Sequence, residues 1–212
     1  MATAKKYPVS LAERLKLGTE DLLLPGTLQD FFRLAAVCEY PVEYQDGNII
    51  AMSIASDSHE QIVANILGVF FVIFQNDPAY LRYGSNRHIY LPQFECAYAP
   101  DASIVKGTPE VFEYAVGKTA NQNPWLLVEV ISESTRRKDF GNKLPRYKKI
   151  SSLQYLLYIE QHEPLVTVFT RLDSASRWSS MDFNQLDQSF SCGNHTIQLA
   201  DIYANIKFEG AQ

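Results

Sequence analysis

The chain has 212 residues, 46% hydrophobic and 20% charged, and its 19 Lys plus Arg against 24 Asp plus Glu give a formal net charge of -5. That balance excludes a protein that coats nucleic acid through bulk positive charge, and the ordinary Gly and Pro content excludes a collagen-like or disordered chain. Cys38, Cys96 and Cys192 are too few and too scattered for a disulfide framework or a Cys-rich zinc site.

Residues 1–26 read as a polar, irregular N-terminal arm ending in Pro25-Gly26, and residues 27–212 as a single mixed α/β domain. Thr27 is placed to cap a helix over 28–37. A hairpin follows, with strand-like runs at 42–44 and 49–52 around Asp46-Gly47, a strong turn pair. Asp57 or Ser58 would cap a helix over 59–75, in which Ile62, Ile66, Val69, Phe70 and Ile73 share a face. Strands are expected at 83–91 and, across Pro100-Asp101, at 97–105, then an irregular Gly/Pro/Asn-rich stretch over 107–124. Residues 125–131 are apolar apart from Glu129 and read as a strand buried on both faces. A helix-compatible segment covers 134–150, strands cover 154–159 and 165–171, and weaker strand signals lie at 178–183 and 196–199 before a last helical turn at 200–205. No apolar run reaches the roughly 20 residues of a membrane span. A soluble cytoplasmic protein without a membrane partner is expected.

Glu129 is the residue that composition does not explain, because a carboxylate inside an apolar strand must be protonated, paired or bound to a metal. Asp101 raises the same question between Pro100 and Ala102. Two carboxylates on neighbouring strands would suit a hard divalent cation. Equally open from these residues alone is a turn cap for Asp101 and a basic partner for Glu129. Residues 133–149 carry seven basic side chains against Glu133 and Asp139, a local +5 that leaves -10 for the rest of the chain. On a helix Asp139, Lys143 and Tyr147 fall close to one face, so Lys143 can point toward Glu129; a solvated face with an Asp139–Lys143 pair is the alternative. His88, His162 and His195 lack metal-ligand spacing. There is no phosphate-cradling glycine loop, so no nucleotide cofactor is expected.

Glu43-x-x-x-Gly47, His59 at a helix start, Pro100-Asp101-Ala102-Ser103, the run 127–135 around Glu129, and Asp139-x-Gly141-x-Lys143-x-x-x-Tyr147 together resemble the Uma2 family, also called DUF820, of restriction-endonuclease-like proteins abundant in cyanobacteria. The resemblance runs from about residue 27 to 171. It implies the PD-(D/E)xK nuclease fold, a mixed central β-sheet flanked by helices, with metal carboxylates on adjacent strands. It makes Asp101 and Glu129 the metal ligands, with the backbone carbonyl of Val130, for Mg²⁺ or Mn²⁺, and Lys143 the catalytic lysine. The usual lysine position two residues after Glu129 is Ile131 here, and the lysine has moved to the following helix. Pro145 interrupts that helix, and Glu133 replaces a proline common in the family.

The resemblance implies a Mg²⁺-dependent endonuclease acting on DNA. Glu60 or Glu43 would complete the site, and His59 would contact phosphate or assist proton transfer. Arg136, Arg137, Lys138 and Lys148 would meet the nucleic acid, and a homodimer would cut both strands. Two other readings stay open: a nuclease-fold protein that binds DNA or a protein partner without cutting, and a structural role in which Asp101 and Glu129 are neutralised by basic side chains.

Overall fold

The computed structural model describes residues 7–173 and 177–208, so residues 1–6 of the expected arm lie outside them. In chain order the elements begin with α1 (Leu11–Leu15), β1 (Leu22–Pro25), α2 (Leu28–Ala35), β2 (Val42–Gln45), β3 (Asn48–Ala51), α3 (Asp57–Phe74), β4 (Tyr80–Gly84), β5 (Ile89–Leu91), β6 (Cys96–Tyr98) and β7 (Ala102–Lys106). They continue with β8 (Val111–Ala115), β9 (Lys118–Asn121), β10 (Leu126–Ile131), α4 (Glu133–Lys138), a π turn (Asp139–Lys143) and α5 (Leu144–Tyr147). Last come β11 (Tyr155–Glu160), β12 (Val166–Arg171), β13 (Trp178–Phe183), β14 (Ser189–Cys192), β15 (His195–Gln198) and α6 (Leu199–Ile202). The chain divides into two compact units, one from residues up to Ile54, Asn86–Ala99 and Val111–Gln122, the other from Ala55–Ser85, Pro100–Glu110 and Asn123 onward.

The first unit is built on a seven-stranded sheet in the order β1-β3-β2-β6-β5-β9-β8. The β2–β3 hairpin turns on Asp46 (φ 50°) and Gly47 (φ 76°), two left-handed residues whose twist matches that of the strands they join. Thr27 and Asp30 form a reciprocal cap at the start of α2, which lays Phe31 and Leu34 against Val42, Tyr44, Ile49 and Ala97. The segment read as an irregular arm contains two regular elements, α1 and β1, and β1 pairs with β3 from Leu22↔Ala51 to Pro25↔Asn48. Arg14 explains why: its side chain is fully buried, and its guanidinium donates to the carbonyls of Gly18 at 2.6 Å, Met52 at 3.1 Å and Ala51 at 3.2 Å, and to that of Glu20.

The second unit is built on a six-stranded mixed sheet ordered β13-β12-β11-β10-β7-β4. Strand β10 is central, parallel to β11 and antiparallel to β7, and buried at all six positions, as its apolar run predicts. On one face α3 packs Ile62, Ile66, Phe70 and Phe74, spaced by four residues, against Ala102, Ile104, Leu126, Val128 and Val130. By length and composition α3 is the one helix among the described residues that could cross a membrane, but these four side chains are spent on the core. The β14–β15 hairpin and α6 add Phe190, Cys192, Ile197, Leu199 and Ile202 to the same cluster.

Several sequence expectations need correction. The strand expected at 83–91 is two strands, β4 in the second sheet and β5 in the first. That expected at 97–105 divides likewise into β6 and β7, because Pro100 has no N–H to give a ladder. The stretch 107–124 contains the hairpin β8–β9, turning at Gly117 with φ 69°. Ser56 caps α3, its hydroxyl accepting the His59 N–H at 3.1 Å.

Candidate active site

Strands β7 and β10 pair as far as Val128↔Ala102 and then part. The Asp101 N–H still donates to the Val128 carbonyl at 3.0 Å. The next donor on β10, the Val130 N–H, goes to Asp101 Oδ2 at 2.6 Å, so the carboxylate stands in for a strand carbonyl. The other oxygen, Oδ1, lies 3.0 Å from Nε2 of His59 in the first turn of α3. Burial works against a charged His59 imidazole. The hydrogen bond and charge of Asp101, aided by the charges of Glu60 and Asp139, outweigh it and raise the His59 pKa above its ordinary value.

Val128 and Val130 belong to the cluster under α3, so alternation sends Glu129 to the opposite face. There Lys143 Nζ lies 3.1 Å from Oε1 and 3.2 Å from Oε2, and the Tyr147 hydroxyl donates to Oε1 at 2.7 Å. Lys143 Nζ is also 3.3 Å from Asp139 Oδ1. The side chains of Glu129, Lys143 and Asp139 are only 5%, 1% and 3% exposed. Charges so buried persist only as a mutually paired group.

The π turn sets this geometry. Pro145 has no N–H, so the α-helical bond it would make to the Gly141 carbonyl is lost. The Leu144 N–H bonds instead to the Asp139 carbonyl, five residues back. That carbonyl also accepts the Tyr158 hydroxyl at 2.8 Å, and Tyr158 is the β11 residue registered against Glu129. Phe140 meets the Tyr158 ring edge-on with centroids 4.8 Å apart. The turn is thereby pinned beside Glu129. Lys143 at its end and Tyr147 are four residues apart, and both reach that carboxylate.

The structure thus brings His59 to Asp101 and Lys143 to Glu129, with Asp101 leading into β7 beside β10. Val130 follows Glu129 on the same strand. Glu60 is exposed in the first turn of α3. Glu43 lies in the first unit, buried on β2, where its Oε1 accepts the Ala99 N–H at 3.0 Å. Of the basic residues, Arg136 pairs with Glu160 at 2.5 Å and lies over the Phe140 ring. Burial raises the Glu160 pKa against the pull of that guanidinium. Arg137 is exposed, Lys138 half-buried, and Lys148 sits 4.6 Å over the Phe169 ring, its pKa lowered by burial. Tyr147 was visible in the sequence only as a residue on the face of Lys143. Tyr158 gave no signal there, since it reaches the turn through strand register.

Among the described residues no three His, Cys, Asp or Glu side chains converge as a ready metal cage. The donor chemistry nonetheless fits a hard cation. Asp101 and Glu129 offer carboxylate oxygens beside His59 and Lys143, and behind Lys143 Asp139 Oδ1, though paired with it, has no hydrogen bond. Mg²⁺ binds through one or two carboxylates and keeps several waters, so a complete protein cage is not required.

The model of the Uma2 family, described as "Putative restriction endonuclease", matches residues 28–199. An uncharacterized protein of Synechocystis sp., sll1609, is 28% identical over 119 residues. The matched region covers 56% of this chain and 66% of that relative, slightly under two thirds of its length. Among solved structures, a protein from Anabaena variabilis described as "a putative nuclease belonging to DUF820" superimposes with a TM-score of 0.62 at 19% identity, covering 92% of this chain and 98% of the other. Identity that low speaks for the fold alone.

Proposed function

This chain belongs to the Uma2 family and has its restriction-endonuclease-like mixed α/β fold, and on that premise we propose that it is a metal-dependent endonuclease hydrolysing DNA phosphodiester bonds. The observation that carries the reading is the pair of carboxylates at the parting of β7 and β10, with a buried lysine on one of them. Asp101 and Glu129, with the Val130 carbonyl, would hold Mg²⁺ or Mn²⁺, which when bound polarises the phosphate and acidifies a water. His59 fixes the orientation of Asp101 through Oδ1, while the Val130 N–H fixes Oδ2. Lys143 brings its ammonium to Glu129, where it orients the attacking water and offsets charge as the phosphate is attacked. Glu60, in the first turn of α3, would supply a further acid.

Arg137, with Arg136, Lys138 and Lys148, would lie along the nucleic-acid backbone. The acidic remainder of the chain keeps that binding weak and salt-sensitive. A soluble cytoplasmic homodimer, with one site per strand, completes the proposal. One observation favours the second reading, a nuclease fold that binds DNA or a protein without cutting: both Glu129 oxygens are already engaged by Lys143, and one also by Tyr147.

The test is cleavage of supercoiled plasmid and single-stranded DNA with Mg²⁺ or Mn²⁺, comparing wild type with Asp101→Asn and Glu129→Gln, which keep the side-chain shapes. The expected loss is at least about 100-fold in each, the scale of removing one electrostatic contributor to a transition state. Equal activity in all three preparations would mean a contaminant and end the nuclease reading.

A further inference from the structure

We propose that Asp139 is a second seat for the Lys143 ammonium, which keeps the lysine in the site when a divalent cation engages Glu129; this rests on the metal-site reading above. Lys143 Nζ already bridges the two acids, 3.1 Å from Glu129 Oε1 and 3.3 Å from Asp139 Oδ1. The two seats are not equivalent. Glu129 is the strand carboxylate placed to hold a metal, whereas Asp139 stands on the π turn, and its Oδ1 is buried with no hydrogen bond to compete for the ammonium. A cation at Glu129 and an ammonium on the same two oxygens repel each other. At side chains this buried, full displacement of the lysine would cost heavily unless another anion received it.

The backbone is built to keep that anion in place. The Asp139 carbonyl is clamped twice, by the Leu144 N–H that closes the π turn and by the Tyr158 hydroxyl from the strand beside Glu129. Pro145 enforces the wide turn by withholding the bond that would tighten it into an α-helix. Asp139 is accordingly a positioning residue. It touches neither metal nor substrate, and it acts by offering Lys143 a short move in place of expulsion.

The proposal is tested by equilibrium binding of Mn²⁺ to the full chain, followed by calorimetry without DNA. Asp139→Asn keeps the shape and removes the charged seat, and it should weaken Mn²⁺ binding about tenfold, the low end for losing an outer partner of a metal site. In a Lys143→Gln background the same change should have little effect, since no ammonium then needs a seat. An equal loss with and without Lys143 would make Asp139 a remote charge only and overturn the proposal, as would no loss in either.

Should Lys143→Gln fail to fold, acetic anhydride labelling of Lys143 read by mass spectrometry decides the matter. Mn²⁺ should raise labelling severalfold in Asp139→Asn and leave wild type protected, and equal protection in both would refute the second seat. Folded wild type that binds no Mn²⁺ overturns it outright. Coupled Mn²⁺ binding without DNA cleavage would sustain the second seat and defeat the nuclease reading, whereas cleavage without coupling would do the reverse.

Discussion

Both units bury charged side chains, but on different terms: the second gathers its charges into one mutually paired group, whereas the first holds Arg14 and Glu43 on backbone groups and also buries neutral polar side chains with atoms unmet. Glu129, Lys143, Asp139 and Tyr147 face one another within hydrogen-bond or ion-pair distance. In the first unit Asn121 is fully buried on β9, yet neither polar atom of its side chain meets a protein partner. His88, also buried, has its Nε2 on the Val42 carbonyl at 2.8 Å and its Nδ1 on no protein group. The difference follows from cost. An unpaired neutral amide or imidazole forfeits about 1–3 kcal/mol, which a sheet can absorb. An unpaired buried charge forfeits more, so Glu129, Lys143 and Asp139 are buried together as one connected set.

The largest effect should come from breaking that set. Glu129→Ala takes from Lys143 one of its carboxylates and from Tyr147 its acceptor, and the expected loss of stability is about 3–5 kcal/mol, measured by urea unfolding. Asn121→Leu, of similar volume, removes two unmet polar atoms and should be neutral or stabilise by about 1 kcal/mol. If the two substitutions shift the urea midpoint alike, burial in both units follows one rule and the contrast is wrong.

The same contrast explains what could be read from the sequence. Glu129 was legible because a charge inside an apolar strand violates the pattern of its neighbours, and β10 is accordingly the central strand. The spacing of Asp139, Lys143 and Tyr147 was legible because four-residue steps keep side chains on one helical face. The means of aiming Lys143 was not. Pro145 looked like an obstacle to the helix, whereas it selects a π turn, which is held by Tyr158 on a strand thirteen residues further on. The hairpin β8–β9 was hidden by counting Gly, Pro and Asn over a window wider than either strand. The passages from β4 to β5 and from β6 to β7 were missed because each pair lies within one continuous strand-like run, and only tertiary structure sends the halves to different sheets.

The smallest expected effect tests the first unit by pH. Burial is the main cause holding the His88 pKa below its ordinary value, against the opposing pull of the Val42 carbonyl and the Glu43 charge; the rings of Phe31 and Tyr114 flank the imidazole. In the unfolded chain His88 takes up a proton near pH 6.5, while in the folded chain it stays neutral to lower pH. Protons therefore favour unfolding across that interval. The full His88 contribution is present above about pH 6.5 and declines as the pH falls toward the folded value. One proton limits the slope to about 1.4 kcal/mol per pH unit. His88→Gln can keep a donor for Val42 and does not titrate, so subtracting its urea stability from that of wild type between pH 7 and 5 isolates the imidazole from the carboxylates that titrate nearby. The difference should fall toward acid. A flat difference would mean that His88 gains its proton as easily inside the sheet as outside it, and the cost assigned to burying a neutral polar group in the first unit would then not hold at this residue.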